Sequence, residues 1–319
     1  MSGSRMAAIP QTPKLTVEGL VTRTESGFHQ VRVGTQVFVC RAPKRLLNYT
    51  RTTTTAVVIG DHVRAHIAED DTGVIQEILP RRNELVRGAA GGSRFLDVIA
   101  ANIDLLIVVH SLRDPDFTAA RLDRLLLLAE AAEIPALICL NKVDLETPDR
   151  TAMISQAYRT IGYPVILTCA KTDLGIATLR HRIAGQISAM VGPSGAGKSS
   201  LLNAVQPGLR LRTAEISEST GKGKHTTTTA ALLALDGGGY VADTPGLREL
   251  AIRQVEAEDV AWLFPEFRPY LPHCKFSNCT HREEMGCQVL EAVRTDGITH
   301  ERHGSYCRVY EDVVEQHVW

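Results

Sequence analysis

The chain has 319 residues, of which 44% are hydrophobic, and its formal net charge is −1. This length allows two or three domains with cores of their own, and the near-neutral charge excludes a uniformly basic nucleic-acid coat or an acidic tail. No apolar stretch is long enough for a membrane span, and seven cysteines without a secretory signal favour the reducing cytoplasm over a disulfide framework.

We expect residues 1–13 to form a flexible leader and residues 14–82 to form an OB-type β-barrel. The second region contains short segments rich in β-branched residues and separated by turn residues, which favours a small barrel. The predicted strands are Leu15–Arg23, Gln30–Cys40, Ala56–Ala68 and Gly73–Leu79. Arg51–Thr55 is expected to be a loop between strands, and Pro80–Gly92 a linker.

The sequence gives modest support for nucleic-acid binding by the barrel. Residues 1–90 hold 12 Lys and Arg against 8 Asp and Glu, a bias compatible with an RNA contact. The candidate basic and aromatic residues are Lys44, Arg45, Arg51, Arg64, Phe28, Phe38 and Tyr49. Aromatic residues for base stacking are few, so the sequence leaves this question open.

Residues 83–250 alternate buried strands with helices, which predicts a doubly wound, mostly parallel sheet. The predicted strands are Leu105–Val109, Pro135–Leu140, Val165–Thr168, Gln186–Val191, Leu232–Leu235 and Tyr240–Ala242. The predicted helices are Arg121–Glu133, Leu174–Ile187 and Lys198–Val205.

The segment Asn141-Lys142-Val143-Asp144 follows one of these strands and fits a guanine-recognition motif. The Asp144 carboxylate could accept hydrogen bonds from the ring N–H and the amino group of guanine, which adenine does not offer. Thr168-Cys169-Ala170-Lys171 follows the next strand, and Ala170 and Lys171 are expected to contact the base. Cys169 departs from the more common serine, which should cost little.

Residues 192–200 fit a phosphate-binding loop between a strand and a helix. The predicted nucleotide-binding residues here are Gly192, Pro193, Ser194, Gly195, Ala196, Gly197, Lys198, Ser199 and Ser200. Backbone N–H groups would face the phosphates, Lys198 would bridge the β- and γ-phosphates, and the Ser199 hydroxyl would bind Mg²⁺. This loop alone would also suit an ATP-binding cassette or a nucleotide kinase; the base motif favours GTP and GDP.

Two switch segments complete the predicted site. Asp243-Thr-Pro-Gly246 fits a pattern in which Asp243 holds Mg²⁺ through water and the Gly246 N–H senses the γ-phosphate. Lys224–Thr229 is the natural switch loop, from which Thr227 or Thr228 would reach Mg²⁺, although a threonine run could also simply begin a strand.

Leu247 stands where many GTPases carry a water-orienting glutamine, so slow intrinsic turnover is expected. His225, beside the switch threonines, is the best replacement candidate. The sequence leaves open whether it is catalytic or an ordinary solvated loop histidine.

Residues 251–319 are expected to form a small helical domain, with helices at Gln288–Asp296 and Ser305–Val318. Three thiolates and one imidazole within 14 residues suit a structural, tetrahedral Zn²⁺ site. The predicted ligands are Cys274, Cys279, His281 and Cys287. Free thiols are the alternative, and His273 could replace one ligand.

The base motif precedes the phosphate loop, the reverse of the order in an ordinary small GTPase, so the G domain is circularly permuted. Together with the barrel, the Ala101-Asn102-x-Asp104 start of the G domain, the Lys224–Thr229 switch and the Cys/Cys/His/Cys group, this order resembles the ribosome small subunit-dependent GTPase A (RsgA) family. The resemblance covers nearly the whole chain.

The resemblance implies a cytoplasmic factor that binds the small ribosomal subunit and its rRNA late in assembly, beside other assembly factors. Such a factor hydrolyses GTP slowly and is stimulated by the subunit; the family pattern also supports Thr227 and Thr228 as switch residues. We expect a monomer with no membrane partner, binding GTP or GDP, Mg²⁺ and one Zn²⁺. Two other functions stay open: an RNA-binding assembly scaffold with nucleotide as a structural ligand, and a zinc-handling GTPase.

The permutation also suggests how nucleotide state is transmitted. It places Asp243–Leu250 directly before the zinc domain and attaches the barrel to the base-binding half. We therefore expect the switch to signal to the zinc domain through a short covalent link.

Overall fold

The structure is a computed structural model, and it describes residues 15–43, 46, 48–49, 53–55, 57–88, 96–209, 229–244, 247, 250 and 255–317. Its strands are β1 (Leu15–Glu25), β2 (Phe28–Val33), β3 (Gln36–Arg41), β4 (Asn48–Tyr49), β5 (Thr53–Thr55), β6 (His62–Ile67), β7 (Thr72–Ile78), β8 (Glu84–Gly88), β9 (Leu96–Ala101), β10 (Leu105–Ser111), β11 (Ala136–Asn141), β12 (Val165–Thr168), β13 (Ile187–Val191), β14 (Ala230–Ala234) and β15 (Tyr240–Asp243). Its α-helices are α1 (Ala119–Ala131), α2 (Pro148–Ile161), α3 (Ile176–Ile183), α4 (Lys198–Val205), α5 (Gln288–Arg294) and α6 (His300–His317). Shorter 3-10 helices cover Val143–Leu145, Ala257–Leu263 and Leu271–His273.

The first part of the chain closes into a small barrel. Strand β1 pairs antiparallel with β2 and β6, β2 pairs antiparallel with β3, and β3 pairs parallel with β7, which returns antiparallel to β6. Alternate residues point inward and form one core, which includes Val21, Val31, Cys40 and Ile75. The OB-type barrel predicted from the sequence is confirmed.

Three local predictions in and after the barrel were wrong. Gln30–Cys40 is not one strand but parts of β2 and β3, joined by a tight turn. Thr53–Thr55, expected within a loop, forms β5 and pairs parallel with β9, because β-branched threonines suit a strand. The expected linker contains β8, which pairs antiparallel with β9 and buries Leu85 and Val86.

The G domain is the doubly wound sheet that the alternation of strands and helices predicts. Strands β12, β11, β10, β13 and β15 lie side by side and parallel, and β14 pairs antiparallel with β15 at the edge. Both β10 and β11 are buried along their whole length, and separate apolar clusters cover the two faces of the sheet. Strand β12 and helix α4 have the bounds predicted for them.

Helix α2 had no counterpart in the predictions. Its apolar residues are too sparse to mark it, yet its start carries recognisable signals: Thr147 accepts a hydrogen bond from the Arg150 N–H (3.4 Å), and Pro148 is the first helical residue. The predicted helix Leu174–Ile187 is shorter than expected, since α3 covers only Ile176–Ile183.

The barrel and the G domain share one sheet. Strand β14 pairs antiparallel with β1, with Ala231 opposite Arg23 and Ala230 opposite Thr24, so that eleven strands form a continuous sheet. The Asn102 side chain, at the start of the G domain, also donates to the Gly60 carbonyl oxygen of the barrel at 2.9 Å, in a buried position. The barrel is therefore fixed to the edge of the G domain that carries β14.

The C-terminal region packs against helix α1. Phe264, Phe267 and Tyr306 form its aromatic centre, and Leu127 of α1 belongs to the same apolar cluster. Among the residues that the structure describes, no helix has the length and apolar character needed to cross a bilayer.

Candidate functional site

The sheet topology brings the separated motifs to one edge. Asn141 is the last residue of β11, Cys169 follows β12, Gly192 follows β13, and Asp243 ends β15. These strands are parallel neighbours in one sheet, so their carboxyl ends lie together. In doubly wound sheets this edge is where nucleotides bind.

The phosphate-binding loop depends on two glycines. A Cβ atom on Gly192 would lie 2.0 Å from the carbonyl oxygen of Val109, and one on Gly197 would lie 2.3 Å from the Asn141 side-chain nitrogen. Gly197 also has a φ of +93°, which disfavours other residues. Only glycine therefore lets the loop approach the neighbouring strands this closely.

Contacts within and across the loop place its key side chains. The Lys198 ammonium donates to the carbonyl oxygens of Gly192 (2.7 Å) and Pro193 (2.9 Å), so it lies over the loop. Asn141 donates from its side chain to the carbonyl oxygen of Ala196 at 2.8 Å, in a buried position. This bond joins the guanine motif to the phosphate loop across 55 residues of sequence. Ser199 and Ser200 occupy the first turn of α4.

The residues predicted to recognise the base lie around the end of β11. Thr168 donates through its hydroxyl to the Asn141 side-chain oxygen at 3.2 Å, and Val143 packs against the core. Asp144 is exposed, and one of its carboxylate oxygens lies 3.2 Å from the Cys169 sulfur. Ala170 and Lys171 follow directly after this cysteine, at the same edge.

The loop between β10 and α1 also contacts the site, although no sequence motif predicts this contact. The Lys142 ammonium donates to the Asp114 carbonyl oxygen and lies 3.8 Å from its carboxylate. The Pro115 ring lies 3.2 Å from the position that a Cβ on Gly195 would occupy. Only the three-dimensional structure reveals these neighbours, because 28 residues separate Asp114 from Lys142.

The switch predictions can be located only in part. Asp243 is buried at the end of β15, and Leu247 packs against the apolar core. An aliphatic side chain in this position has no polar atom with which to orient water. The predicted residues His225, Thr227, Thr228 and Gly246 lie outside the described residues.

The four predicted zinc ligands converge on one point. Their ligand atoms all lie within 4.8 Å of one another, and the sulfurs of Cys274 and Cys287 are 4.0 Å apart. Each of these sulfurs lies 3.5 Å from the His281 Nδ1. Tetrahedral Zn²⁺ with its usual bond lengths would place two sulfurs about 3.8 Å apart and a sulfur and a nitrogen about 3.5 Å apart, so the donor set fits this ion.

Burial also affects the protonation of the cluster. Burial and the neighbouring Cys287 and Cys274 thiols raise the pKa of Cys279 to about 12. The protein alone therefore holds thiols here, and a bound cation would displace their protons. His273, the alternative ligand, is exposed and is not among the four converging residues.

A second layer of hydrogen bonds holds the loops that carry these ligands. The Glu284 carboxylate accepts bonds from the backbone N–H groups of Thr280 (2.6 Å) and Arg282 (3.0 Å). Burial alone would raise the pKa of Glu284, but hydrogen bonds from Thr280 and neighbouring backbone groups lower it to about 2. Tyr306 donates to the Thr280 carbonyl oxygen at 2.6 Å. Such outer bonds orient metal ligands.

The structure describes the side chains of three of the barrel residues proposed for RNA contact. Phe28 is exposed, with the Arg41 guanidinium 4.8 Å above its ring, and could stack a base. Phe38 is buried, so it is a poor candidate, whereas Arg64 is partly exposed and pairs with Glu18 and Glu77 on the surface. Lys44, Arg45, Arg51 and the side chain of Tyr49 lie outside the described residues.

The fold and the order of its motifs define a circularly permuted P-loop GTPase. A family model described as RsgA GTPase matches residues 78–253. The chain belongs to this family.

Two relatives match over most of the chain. The small ribosomal subunit biogenesis GTPase RsgA of Moorella thermoacetica is 39% identical over 298 residues, covering 93% of this chain and 98% of that protein. Its counterpart in Gemmatimonas aurantiaca is 42% identical over 262 residues, covering 81% and 85%.

Two solved structures share the architecture. YjeQ from Thermotoga maritima has a TM-score of 0.77 at 33% identity, covering 94% of this chain and 99% of that one. YloQ, described as a circularly permuted GTPase, has a TM-score of 0.74 at 29% identity, covering 97% and 99%. The predicted permutation is thus confirmed.

Proposed function

We propose that this GTPase assists maturation of the small ribosomal subunit, with its activity stimulated by that subunit and its rRNA. The hydrogen bond from Asn141 to Ala196 carries the nucleotide part of the proposal, because it unites base and phosphate motifs in one site. The printed names of the relatives support the ribosomal part. We further propose that it works in the cytoplasm, beside other assembly factors and as a monomer.

The described residues suit GTP binding. The Asp144 carboxylate would accept hydrogen bonds from the ring N–H and amino group of guanine, and the Ala170 N–H and Lys171 would complete the base pocket. Backbone N–H groups of residues 192–200 would face the phosphates at the start of α4. The Lys198 ammonium would leave the Gly192 and Pro193 carbonyls to bind the β- and γ-phosphates.

Hydrolysis is the attack of water on the γ-phosphorus, with cleavage of its bond to the oxygen that bridges to the β-phosphate. The Gly246 N–H would bind a γ-phosphate oxygen, and His225 would orient the water that Leu247 cannot hold. The Ser199 and Thr228 hydroxyls would ligate Mg²⁺, with Thr227 as the alternative and Asp243 acting through water. Mg²⁺, when bound, neutralises charge on the phosphates.

The zinc site has a structural role in this proposal. Cys274, Cys279, His281 and Cys287 would hold one Zn²⁺ and leave no position for water, so the ion would stabilise the small C-terminal region without taking part in hydrolysis.

The test is GTP turnover by wild type and Lys198→Ala, each with and without purified small subunits. We expect slow turnover alone, a clear increase with subunits, and a loss of about 10²-fold in the variant, since a pair of charged hydrogen bonds is removed. Arg182→Ala, which removes an exposed charge on α3, is the matched control. No hydrolysis in either condition, with subunit binding intact, would instead support an RNA-binding scaffold.

A further inference from the structure

Asn102 lies at a polar junction where the barrel, the segment before β8 and the G domain meet. It is 2% exposed and has a φ of +55°, a left-handed conformation that asparagine adopts more readily than most residues. Its Nδ2 donates to the Gly60 carbonyl oxygen of the barrel at 2.9 Å, and its Oδ1 accepts from the Arg82 backbone N–H at 2.9 Å. One buried side chain therefore ties the barrel to the segment that leads into β8.

The backbone of the barrel packs tightly against this junction. A Cβ atom on Gly60, whose φ is +87°, would lie 1.9 Å from the Ala101 carbonyl oxygen. The Ala101 N–H also donates to the Ile59 carbonyl oxygen at 3.0 Å. Because the two backbones are in such close contact, a displacement of the barrel at Ile59 and Gly60 must also displace Ala101 and Asn102.

Two residues further on, Asp104 binds the strand that leads to the phosphate loop. Its Oδ2 accepts from the Ile187 backbone N–H at 2.8 Å, and its own N–H donates to the Ile187 carbonyl oxygen at 2.8 Å. The Arg82 guanidinium donates both to Asp104 Oδ1 (2.7 Å) and to the Asn102 carbonyl oxygen (3.2 Å). Ile187 is the first residue of β13, and Gly192 of the phosphate loop directly follows the last residue of that strand.

These contacts form a continuous route from Gly60 through Asn102 and Asp104 to Ile187. Strand β13 has only five residues and is held between β10 and β15, so a movement of Ile187 along the strand would shift the phosphate loop at its other end. We propose that Asn102 and Asp104 are positioning residues for stimulated hydrolysis, which pass a displacement of the subunit-bound barrel to the phosphate loop. This inference rests on the proposed stimulation by the small subunit, and it assigns the route of that stimulation.

The route can be broken at either end without changing a residue that contacts nucleotide. Asn102→Gly keeps the left-handed backbone and removes both side-chain hydrogen bonds. Asp104→Ala removes the acceptor for the Ile187 N–H. Asn102→Asp keeps the acceptor for the Arg82 N–H and loses only the donor to Gly60, so it replaces the glycine variant if that variant is unstable.

Tyr163→Phe is the matched control. Tyr163 is buried shortly before β12, and its hydroxyl donates to the Glu130 carboxylate at 2.9 Å. The substitution therefore removes a side-chain hydrogen bond within the G domain but leaves the route from Gly60 to Ile187 intact.

The experiment measures GTP turnover by the full-length protein, alone and with saturating small ribosomal subunits, for wild type, each variant, the double variant and the control. We expect Asn102→Gly and Asp104→Ala to keep basal turnover and to lose about 10-fold of the stimulation, within the usual range of coupling between two sites. The double variant should lose no more than either single variant, because both substitutions break the same route. Tyr163→Phe should keep the stimulation of wild type.

Three outcomes would overturn the inference. The first is full stimulation of both single variants. The second is a loss that adds up in the double variant, or that is as large for basal as for stimulated turnover, since either would indicate independent structural defects. The third is a wild type that subunits do not stimulate: in that case the proposed function fails first and this inference fails with it, so the two failures are distinguishable.

Discussion

His110 is a buried histidine at the carboxyl end of β10, one residue after Val109, whose carbonyl oxygen lies against Gly192 of the phosphate loop. Its Nδ1 lies 2.8 Å from the Ser111 carbonyl oxygen, which can only accept, so this nitrogen carries a proton. The ring packs edge-on against Phe117 at 5.1 Å. Burial lowers the pKa of His110 from its ordinary 6.5, and the nearby Arg121 charge lowers it further, against the Ser111 hydrogen bond.

The lowered pKa of His110 sets the direction in which protein stability changes with pH. The folded protein keeps His110 neutral, whereas the unfolded chain takes up a proton near pH 6.5. The contribution to stability is therefore complete above pH 6.5 and is lost as the pH falls toward the lowered folded-state pKa, by at most about 1.4 kcal/mol per pH unit. His110→Asn keeps the donor to Ser111 and cannot titrate.

Denaturant unfolding between pH 5 and pH 7.5 checks this expectation. The difference in unfolding free energy between wild type and His110→Asn should shrink as the pH falls, with the other histidines common to both proteins. A difference that stays constant across this range would show that His110 is not held neutral.

Single-residue chemistry could be predicted from the sequence where the motif itself fixes the role. Gly197 and Lys198 are singled out by their spacing. In the structure Gly197 lies against Asn141 and Lys198 donates to the Gly192 carbonyl oxygen, while their contacts with nucleotide stay a prediction. The contacts of Asp114 with Lys142 and of Cys169 with Asp144 could not be predicted, because they join segments that are distant in the chain.

At the scale of elements, a buried ion network joins helices α1 and α6. Arg302 donates to Asp123 (2.6 Å) and Glu266 (2.5 Å), with its side chain 5% exposed, and Ser305 donates to Asp123 at 2.5 Å. Burial alone would lower the pKa of Arg302, but the bonds to Glu266 and Asp123 raise it. The network therefore fixes the C-terminal region to the base-binding half of the G domain.

Arg302→Met should destabilise the protein by about 3–5 kcal/mol, because it leaves two buried carboxylates without their cation. Urea unfolding measures this loss of unfolding free energy. Arg268→Met is the control: its pair with Glu130 is 44% exposed on the arginine side, so its loss should cost under about 1 kcal/mol. Equal effects of the two variants would contradict a special role for the buried network.

Zinc removal tests whether a metal ion also stabilises the C-terminal region. With chelator, we expect the segment from residue 255 to 317 to lose helical structure and the melting temperature to fall, because its converging thiols would no longer be bridged. Cys274→Ser should behave like the chelated wild type and respond little to chelator. Unchanged helix content and melting temperature after complete metal removal would exclude a structural zinc.

Elements with strong apolar patterns, such as β10, β11 and β12, could be predicted almost residue by residue. The smaller sheet of β4, β5, β9 and β8 could not, since its strands are short and partly polar and pair only through tertiary contacts. Helix α2 could not be predicted either, because its apolar face is thin.

At the scale of the whole molecule, neighbours in space differ from neighbours in the chain. The sequence suggested that the barrel is attached to the base-binding half and that the switch leads into the zinc domain. In the structure, β1 of the barrel pairs with β14, which begins directly after the switch threonines, and the zinc-ligand region packs on α1 in the base-binding half. A strand of the barrel therefore pairs directly with the strand that follows the switch loop. The signal from the switch to the zinc domain stays a prediction.

The permuted chain must still build one guanine-nucleotide site from its two exchanged halves, and one measurement tests this most directly. Asp144→Asn should reverse base preference, because an amide can donate to the xanthine carbonyl that replaces the guanine amino group while its oxygen still accepts from the ring N–H. We would measure hydrolysis of GTP and of xanthosine triphosphate by wild type and Asp144→Asn in the presence of small ribosomal subunits. The account requires wild type to prefer GTP and the variant to prefer xanthosine triphosphate; an Asp144→Asn variant that still preferred GTP would contradict it.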